Sequence, residues 1–374
     1  MYYKRTDKTS SNSLQIIMEI YLVGGAVRDA LLGLADQNTE NDYVVVGSSA
    51  KEMLSLGYQQ VGKEFPVFLH PETREEYALA RKEKKIAVGY AGFEFNAANT
   101  VSLNEDLSRR DLTINAIAKN DDGLLIDPFG GIDDIRLKSL RHVSDAFKED
   151  PVRVLRIARF SARFYHLGFS IAEETKQLMH EMVASGEVDA LVPERVFKEL
   201  SLSLTYDKPS IFFDTLLECS AYQRLFPMLD ISKAGILSIA DIQDTSEAVR
   251  FALWLYQQKP ESIMDLCSHL KCPKEYQQLA ELSANWYLFA KSLMNQSSEA
   301  VLEFILATDA LRRQRRFSQF LDVLDCLGIN TRPIEELLIE LKKIDVSKLN
   351  QKQIVKELAF ERLAVIQRFL DSAK

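Results

Sequence analysis

Few residues in this 374-residue chain could act as covalent or metal staples. There are four cysteines, Cys219, Cys267, Cys272 and Cys326, and no CxxC pair, which excludes both a disulfide framework and a thiolate zinc knuckle. Glycine and proline are sparse, at 15 and 10 residues, which excludes collagen-like and low-complexity classes. No stretch approaches the roughly 18 uninterrupted apolar residues of a membrane span, and the first 17 residues lack a secretory apolar segment. A cytoplasmic protein with no membrane partner is expected. Positive charge is also in deficit, with 46 Lys and Arg against 54 Asp and Glu, a net charge of −8. That excludes a protein that coats nucleic acid without specificity but leaves room for a local basic groove.

Apolar residues make up 47% and charged residues 27%, enough for sizeable cores in two to four domains. Residues 1–17, rich in Ser, Thr, Asn and Lys, read as a disordered tail. Residues 18–143 alternate β-rich runs with short helices. Glu19–Val23 reads as a strand closed by Gly24-Gly25, Ala26–Leu32 as a helix ending at Gly33, and Tyr43–Val46 as a second strand. Val67–His70 and Glu76–Arg81 flank a turn at Pro71–Arg74 as a hairpin. From about Ser144 nearly every window has a helical period, as in Val152, Leu155, Ala158 and Ala162. The fold class is therefore an α/β head with a mixed sheet, followed by an all-helical neck (144–215) and an all-helical body and tail (216–374).

Four constellations carry chemistry. In Leu22–Asp29, a strand runs through Gly24 and Gly25 into a helix; glycines let backbone N–H groups approach a phosphate, and Arg28 adds a fork of donors. Many α/β turns carry two glycines for packing alone. Next, Glu40-Asn41-Asp42 precedes a β-branched strand, so Glu40 and Asp42 share a face as paired carboxylates, which repel unless cations sit between them. Two Mg²⁺ ions there would activate a hydroxyl and neutralise a leaving pyrophosphate. Glu76, above Ala78 and Ala80, is a candidate third acid or a surface residue beside Glu75. In Arg109–Ala116, a helix would place Asp111 and Asn115 on one face; Arg110 would hold phosphate and Asp111 accept from a ribose. Last, Glu149–Arg159 spaces Asp150, Arg153, Arg156 and Arg159 along a polar stripe. An Asp–Arg pair accepts from an amino group and donates to the ring nitrogen beside it, so it would admit cytosine and adenine and reject guanine and uracil; Arg156 and Arg159 are left for triphosphate.

In this order these blocks resemble the class II tRNA nucleotidyltransferases, the CCA-adding enzymes and their bacterial poly(A) polymerase relatives. The resemblance is carried by LVGGAVRDALLG, the carboxylate pair before YVVVG, GKEFPVFLHPET, EEYALAR, RRDLTINA, IDPFGG, EDPVRVLRIARF and VPERV. It implies a polymerase β-type head, a helical neck, and addition of C, C and A to tRNA 3′ ends from CTP and ATP with Mg²⁺. By matching position, Gly25 and Arg28 seat the nucleotide, Glu40 and Asp42 bind magnesium, Glu76 is the third acid, Arg110 touches the nucleotide, and Asp150 with Arg153 forms the template. Arg312, Arg313, Arg315 and Arg316, in a helical context beyond the head, are expected to bind tRNA, and no obligatory protein partner is implied. The chain departs from the family's usual Asp-x-Asp at Glu40, behind a longer loop. None of its five histidines precedes an Asp, so the phosphohydrolase domain that relatives often append is expected to be absent. Poly(A) synthesis, CC-only or A-only addition, and a tRNA-binding protein without activity remain alternatives.

Overall fold

The computed structural model describes residues 18–37, 39–62, 67–85, 93–96, 100–236, 242, 244–349 and 353–372. The expected N-terminal tail, the GKEFP portion of the third block from Lys63 to Pro66, and most of the Lys82–Gly92 loop lie outside the described residues. The chain forms two compact units, one reaching to Asp150 and including Ser170–Thr175, the other comprising Pro151–Phe169 and the chain from Lys176 onward.

The first unit is built on a seven-stranded sheet. Its elements are β1 (Glu19–Val23), α1 (Gly25–Leu32), β2 (Asp42–Val46), α2 (Ala50–Ser55), β3 (Gln59–Val61), β4 (Val67–Leu69) and β5 (Glu76–Leu79), then a separate hairpin of β6 (Lys82–Lys85) and β7 (Phe93–Asn96), α3 (Leu103–Ser108), β8 (Ala118–Lys119), β9 (Leu125–Ile126) and α4 (Gly131–Leu137). The strand order is β3-β4-β5-β2-β1-β8-β9, mixed because β2 and β5 run parallel while β1 is antiparallel to β2 and β8. Side chains alternate across β2. Val44 joins Val23, Ala80, Leu103, Leu107, Ala116 and Ala118 in one core. Val45 joins Met53, Phe68, Tyr77 and Leu79 in another, with Tyr43 packed against it in a stack on Tyr77. Asp42 lies on the first of these faces, in line with Val44, at the strand's open end. Helix α1 stops at Gly33, whose φ of +70° suits glycine, and α3 starts with a capping box between Ser102 and Glu105.

The second unit is helical, beginning with α5 (Val152–Phe164) and continuing through α6 (Glu173–Ala184, its first turn in the first unit), α7 (Pro193–Ser203), α8 (Ser210–Glu218) and further helices to Ile354–Ser372. Its core is aromatic: Trp254 packs among Phe213, Tyr222, Phe226 and Phe251, and its indole N–H donates to the Tyr222 hydroxyl at 3.1 Å. The expected Val152, Leu155, Ala158 and Ala162 face of α5 is buried, but Val154 and Ile157 are buried too, so the helix is enclosed on most sides. One short parallel pairing, Ser139–Leu140 with Ser170–Ile171, corrects the expectation that everything after Ser144 is helical. No helix among the described residues is long and apolar enough to cross a membrane.

Candidate active site

Three sequence blocks meet at one end of the sheet because strand register brings them there. Asp42, the first residue of β2, is paired with Val23, the last of β1, and on its other side with Glu76, the first of β5. Gly24 follows Val23 directly and Glu40 lies two residues before Asp42, outside the strand rather than on it as expected. Asp42 reaches solvent, yet the protein wall behind it partly desolvates the carboxyl and raises its pKa; Arg110 draws it back down, and Glu76 and Glu40 push it up. Glu75 has a different role: it accepts from Asn41 at 2.9 Å and from Thr73 at 2.8 Å, and the Asn41 hydrogen bond foremost lowers its pKa. Of the two adjacent glutamates, Glu76 is therefore the one that faces Asp42, while Glu75 braces Asn41. Among the described residues no three acidic, imidazole or thiol groups are clustered closely enough to hold a metal among them. The donor set of Glu40 and Asp42 is nonetheless all-carboxylate, and Mg²⁺ is characteristically held by one or two carboxylates plus substrate phosphates, so these residues fit that ion.

Beside the acids sits Arg110. Its Nη1 would lie 2.9 Å from a Cβ placed on Gly24, and it donates to the Asn115 carbonyl at 3.4 Å. Gly24 has φ +69° and ψ −127°, a backbone that side chains rarely adopt, and its lack of a Cβ is what admits the guanidinium. The Arg109–Ala116 block is not a helix: α3 ends at Ser108, and only Thr113–Asn115 makes a 3₁₀ turn. Asp111 still meets Asn115, accepting from its Nδ2 at 2.9 Å, because Leu112 and Ile114 plunge into the core and fold the polar residues together. Asn115 in turn accepts from Arg28 at 2.5 Å, and Arg28 makes a two-pronged pair with Asp29 at 2.8 and 3.0 Å. Arg28, Asp29, Asp111 and Asn115 are all buried, a polar lattice joining α1 to the 113–115 turn. Sequence reasoning missed Asp29 and Asp106 here. Asp29 was legible only as an acid next to Arg28, and Asp106 as one three and four residues before Arg109 and Arg110.

In the second unit, Pro151 occupies the N-cap position of α5, with Asp150 just ahead of it in extended backbone. The expected polar stripe is not a solvated one: Arg153 and Arg159 are each 7% exposed. Arg159 donates from Nε to Glu199 on α7 at 2.5 Å and to the Tyr206 hydroxyl at 3.2 Å, and lies 4.3 Å over the Phe160 ring. Arg156 is more accessible than Arg159 and comes within 3.9 Å of a Glu199 carboxylate oxygen. Further on, helix Gln314–Cys326 begins after Arg312 and Arg313, correcting their helical placement. These two pair with Asp309 at 3.9 and 3.4 Å, while Arg316 turns inward and donates to the Thr308 carbonyl at 2.8 Å, capping helix Ser298–Ala307. Arg312, Arg313 and Arg315 remain exposed.

Residues 20–141 match the family described as the poly A polymerase head domain, and residues 168–232 match one described as a probable RNA and SrmB-binding site of polymerase A. A CCA-adding enzyme of Coxiella burnetii is 48% identical over 343 residues, covering 90% of each chain. Among solved structures, a Thermotoga maritima CCA-adding enzyme in complex with tRNA aligns with a TM-score of 0.65 at 21% identity, over 96% of this chain and 92% of that one. A CCA-adding enzyme bound to CTP aligns with a TM-score of 0.65 at 21% identity, over 94% and 87%. The register that sets Asp42 against Glu76, the arginine over a side-chain-free glycine, and a relative nearly half identical along nine-tenths of its length converge on one family, and this chain belongs to the CCA-adding tRNA nucleotidyltransferases.

Proposed function

We propose that this protein adds C, C and A in turn to the 3′ end of tRNA in the cytoplasm, using CTP and ATP and releasing pyrophosphate. The observation that carries the reading is the pairing of Asp42 with Glu76 at the open end of β2, with Arg110 and the bare backbone of Gly24 alongside. Gly24, Gly25 and Arg110 hold the triphosphate, and Arg28, Asp111 and Asn115 fix the shape of that seat, with Asp111 the candidate acceptor for the ribose. Glu40 and Asp42 would hold the divalent cation, which when bound supplies neutralising charge to the phosphates and acidifies the attacking hydroxyl. Glu76 keeps a carboxylate facing Asp42, where the proton of the tRNA 3′ hydroxyl is lost as its oxygen bonds to the α-phosphorus and pyrophosphate departs. Asp150 and Arg153 select the base by accepting from the amino group of cytosine or adenine and donating to the adjacent ring nitrogen. Arg156 and Arg159 serve the triphosphate, Arg156 by contact and Arg159 through its hold on the Glu199 corner.

The tRNA contacts Arg312, Arg313 and Arg315, with Arg316 securing that corner of the fold. Arg313 at the N-cap and Arg315 in the first turn of helix Gln314–Cys326 oppose its macrodipole and cost the fold stability, which a polyanionic partner would recover. A turn in which Asp36 N–H donates to the Thr39 hydroxyl at 2.9 Å and Thr39 N–H to the Asp36 carbonyl at 3.2 Å takes up part of the longer loop, consistent with Glu40 reaching the family's Asp position. The test is incubation of the purified protein with Mg²⁺, labelled CTP or ATP, and tRNA lacking its terminal nucleotides. Two C additions followed by one A are expected. Processive A addition without C would replace this reading with a poly(A) polymerase, and no addition with retained tRNA binding would leave a binding protein.

A further inference from the structure

Asp106 is fully buried on α3, and none of the proposed catalytic roles falls to it. Its two carboxylate oxygens serve three partners. Oδ1 accepts from Arg109 Nη2 at 2.6 Å and Nε at 3.1 Å and from the Arg81 backbone N–H at 3.3 Å; Oδ2 accepts from Arg110 Nη2 at 3.3 Å. Arg109 closes the ring by donating to the Arg81 carbonyl at 3.1 Å. Two cations thus share one fully buried anion, an arrangement that leaves each guanidinium little freedom to turn. Arg110 bears the consequence. Nη2 is anchored on Asp106, Nη1 points across Gly24 towards the Asn115 carbonyl, and Nε is buried with no hydrogen-bond partner among the described residues. A lone arginine beside Glu40, Asp42 and Glu76 would swing onto those acids, and the tether to Asp106 opposes this. The same carboxylate fastens the chain at Arg81, immediately before β6, so the start of the β6–β7 hairpin and the arginine of the phosphate seat are held by one side chain.

We propose that Asp106 is a positioning residue for nucleotide addition: it holds the Arg110 guanidinium over Gly24 as a preformed triphosphate clamp. The proposal rests on Arg110 touching the triphosphate, and the experiment separates the two. CTP kinetics on tRNA lacking its terminal CCA are measured for Asp106→Asn, Arg110→Ala and the double variant, with melting followed for each. Asp106→Asn is expected to raise the KM for CTP about tenfold, with the KM for tRNA unchanged and kcat falling less than KM rises. In the double variant it should add nothing to the effect of Arg110→Ala, because the pair acts as a unit. If Arg110→Ala leaves the KM for CTP unchanged, the triphosphate reading itself fails. If Arg110→Ala raises it and Asp106→Asn does not, or if the two effects multiply independently, the positioning role is wrong. Should Asp106→Asn not fold, Asp106→Glu keeps the charge and displaces the carboxylate by one methylene; a threefold or larger rise in the KM for CTP is then expected, and an unchanged value in the folded variant overturns the proposal.

Discussion

Replacing Gly24 with alanine separates backbone strain from loss of the phosphate seat, because a second glycine in the same helix-bearing segment provides the control. Gly24 sits at φ +69°, ψ −127°, a conformation that costs a side-chain-bearing residue about 1–3 kcal/mol. The new Cβ would also fall 2.9 Å from Arg110 Nη1, too close for a carbon–nitrogen contact, and Arg110 is pinned by Asp106 and Asn115. The guanidinium must therefore move by several tenths of an ångström. Displacements on that scale in a positioned group cost up to about 100-fold per ångström, so roughly a tenfold loss in kcat/KM for CTP is expected. Gly33→Ala pays for the left-handed conformation alone, about 1–2 kcal/mol, since nothing lies within 4 Å of its Cβ. Both variants should melt a few degrees lower, and only Gly24→Ala should lose CTP turnover. Equal kinetic losses in the two, or wild-type kcat/KM in a folded Gly24→Ala protein, would refute the close packing of Arg110 on that glycine as a functional contact.

Asp42→Asn should abolish addition of both nucleotides while raising the melting temperature at neutral pH: its pKa is raised in the folded state, so the stabilisation of the protonated form is present at low pH and vanishes as pH rises through that value, and an amide removes the strained charge. A lower melting temperature at pH 7 would contradict the partly desolvated, acid-flanked setting of Asp42. Glu40→Asp should weaken CTP addition, measured in single turnover, because the shortened side chain no longer reaches past the Asp36–Thr39 turn; improved turnover would mean the loop does not compensate. Glu199→Ala leaves Arg159 buried without its anion and should cost about 3–5 kcal/mol in denaturant unfolding, whereas a loss under 1 kcal/mol would show that Tyr206 suffices. Reversing Arg312 and Arg315 to Glu should raise the KM for tRNA and lower the salt slope of binding by roughly 1–2, leaving the KM for CTP alone; an unaltered slope would place the tRNA elsewhere.

Elements governed by local rules were legible in the sequence. Helix α1 and its stop at Gly33, strands β1 and β2, and the β4–β5 hairpin follow from periodicity and turn chemistry. The pairing of Asp42 with Glu76 was not readable, because 34 positions of sequence separate residues that only sheet register unites. The RRDLTINA block misled in another way. Its i,i+4 spacing looks helical, but burial of Leu112 and Ile114 overrode that preference, and the Asp111–Asn115 contact survived by a different route. Arg159 and Arg316 show a further limit, since spacing gave no warning that one would pair with Glu199 and the other with a helix-terminal carbonyl. Those choices depend on which helix packs alongside, and pairwise periodicity carries no information about it.

The register of β2 has a consequence for how this gene can vary. Asp42 is fixed between Val23 and Glu76, with Val44 inside one core and Val45 inside the other. An insertion or deletion upstream, between Gly33 and Glu40, is absorbed by a turn and leaves that alignment untouched. A single codon gained or lost between Asp42 and Val46 would exchange the two faces of the strand at that point, carrying the acid to the side where Tyr43 and Tyr77 stack and leaving another residue at the catalytic mouth. Tolerance of the fold to length change should therefore be sharply one-sided about Asp42, and a library of one-residue insertions scored for folded protein would show permissive codons ending where the strand begins.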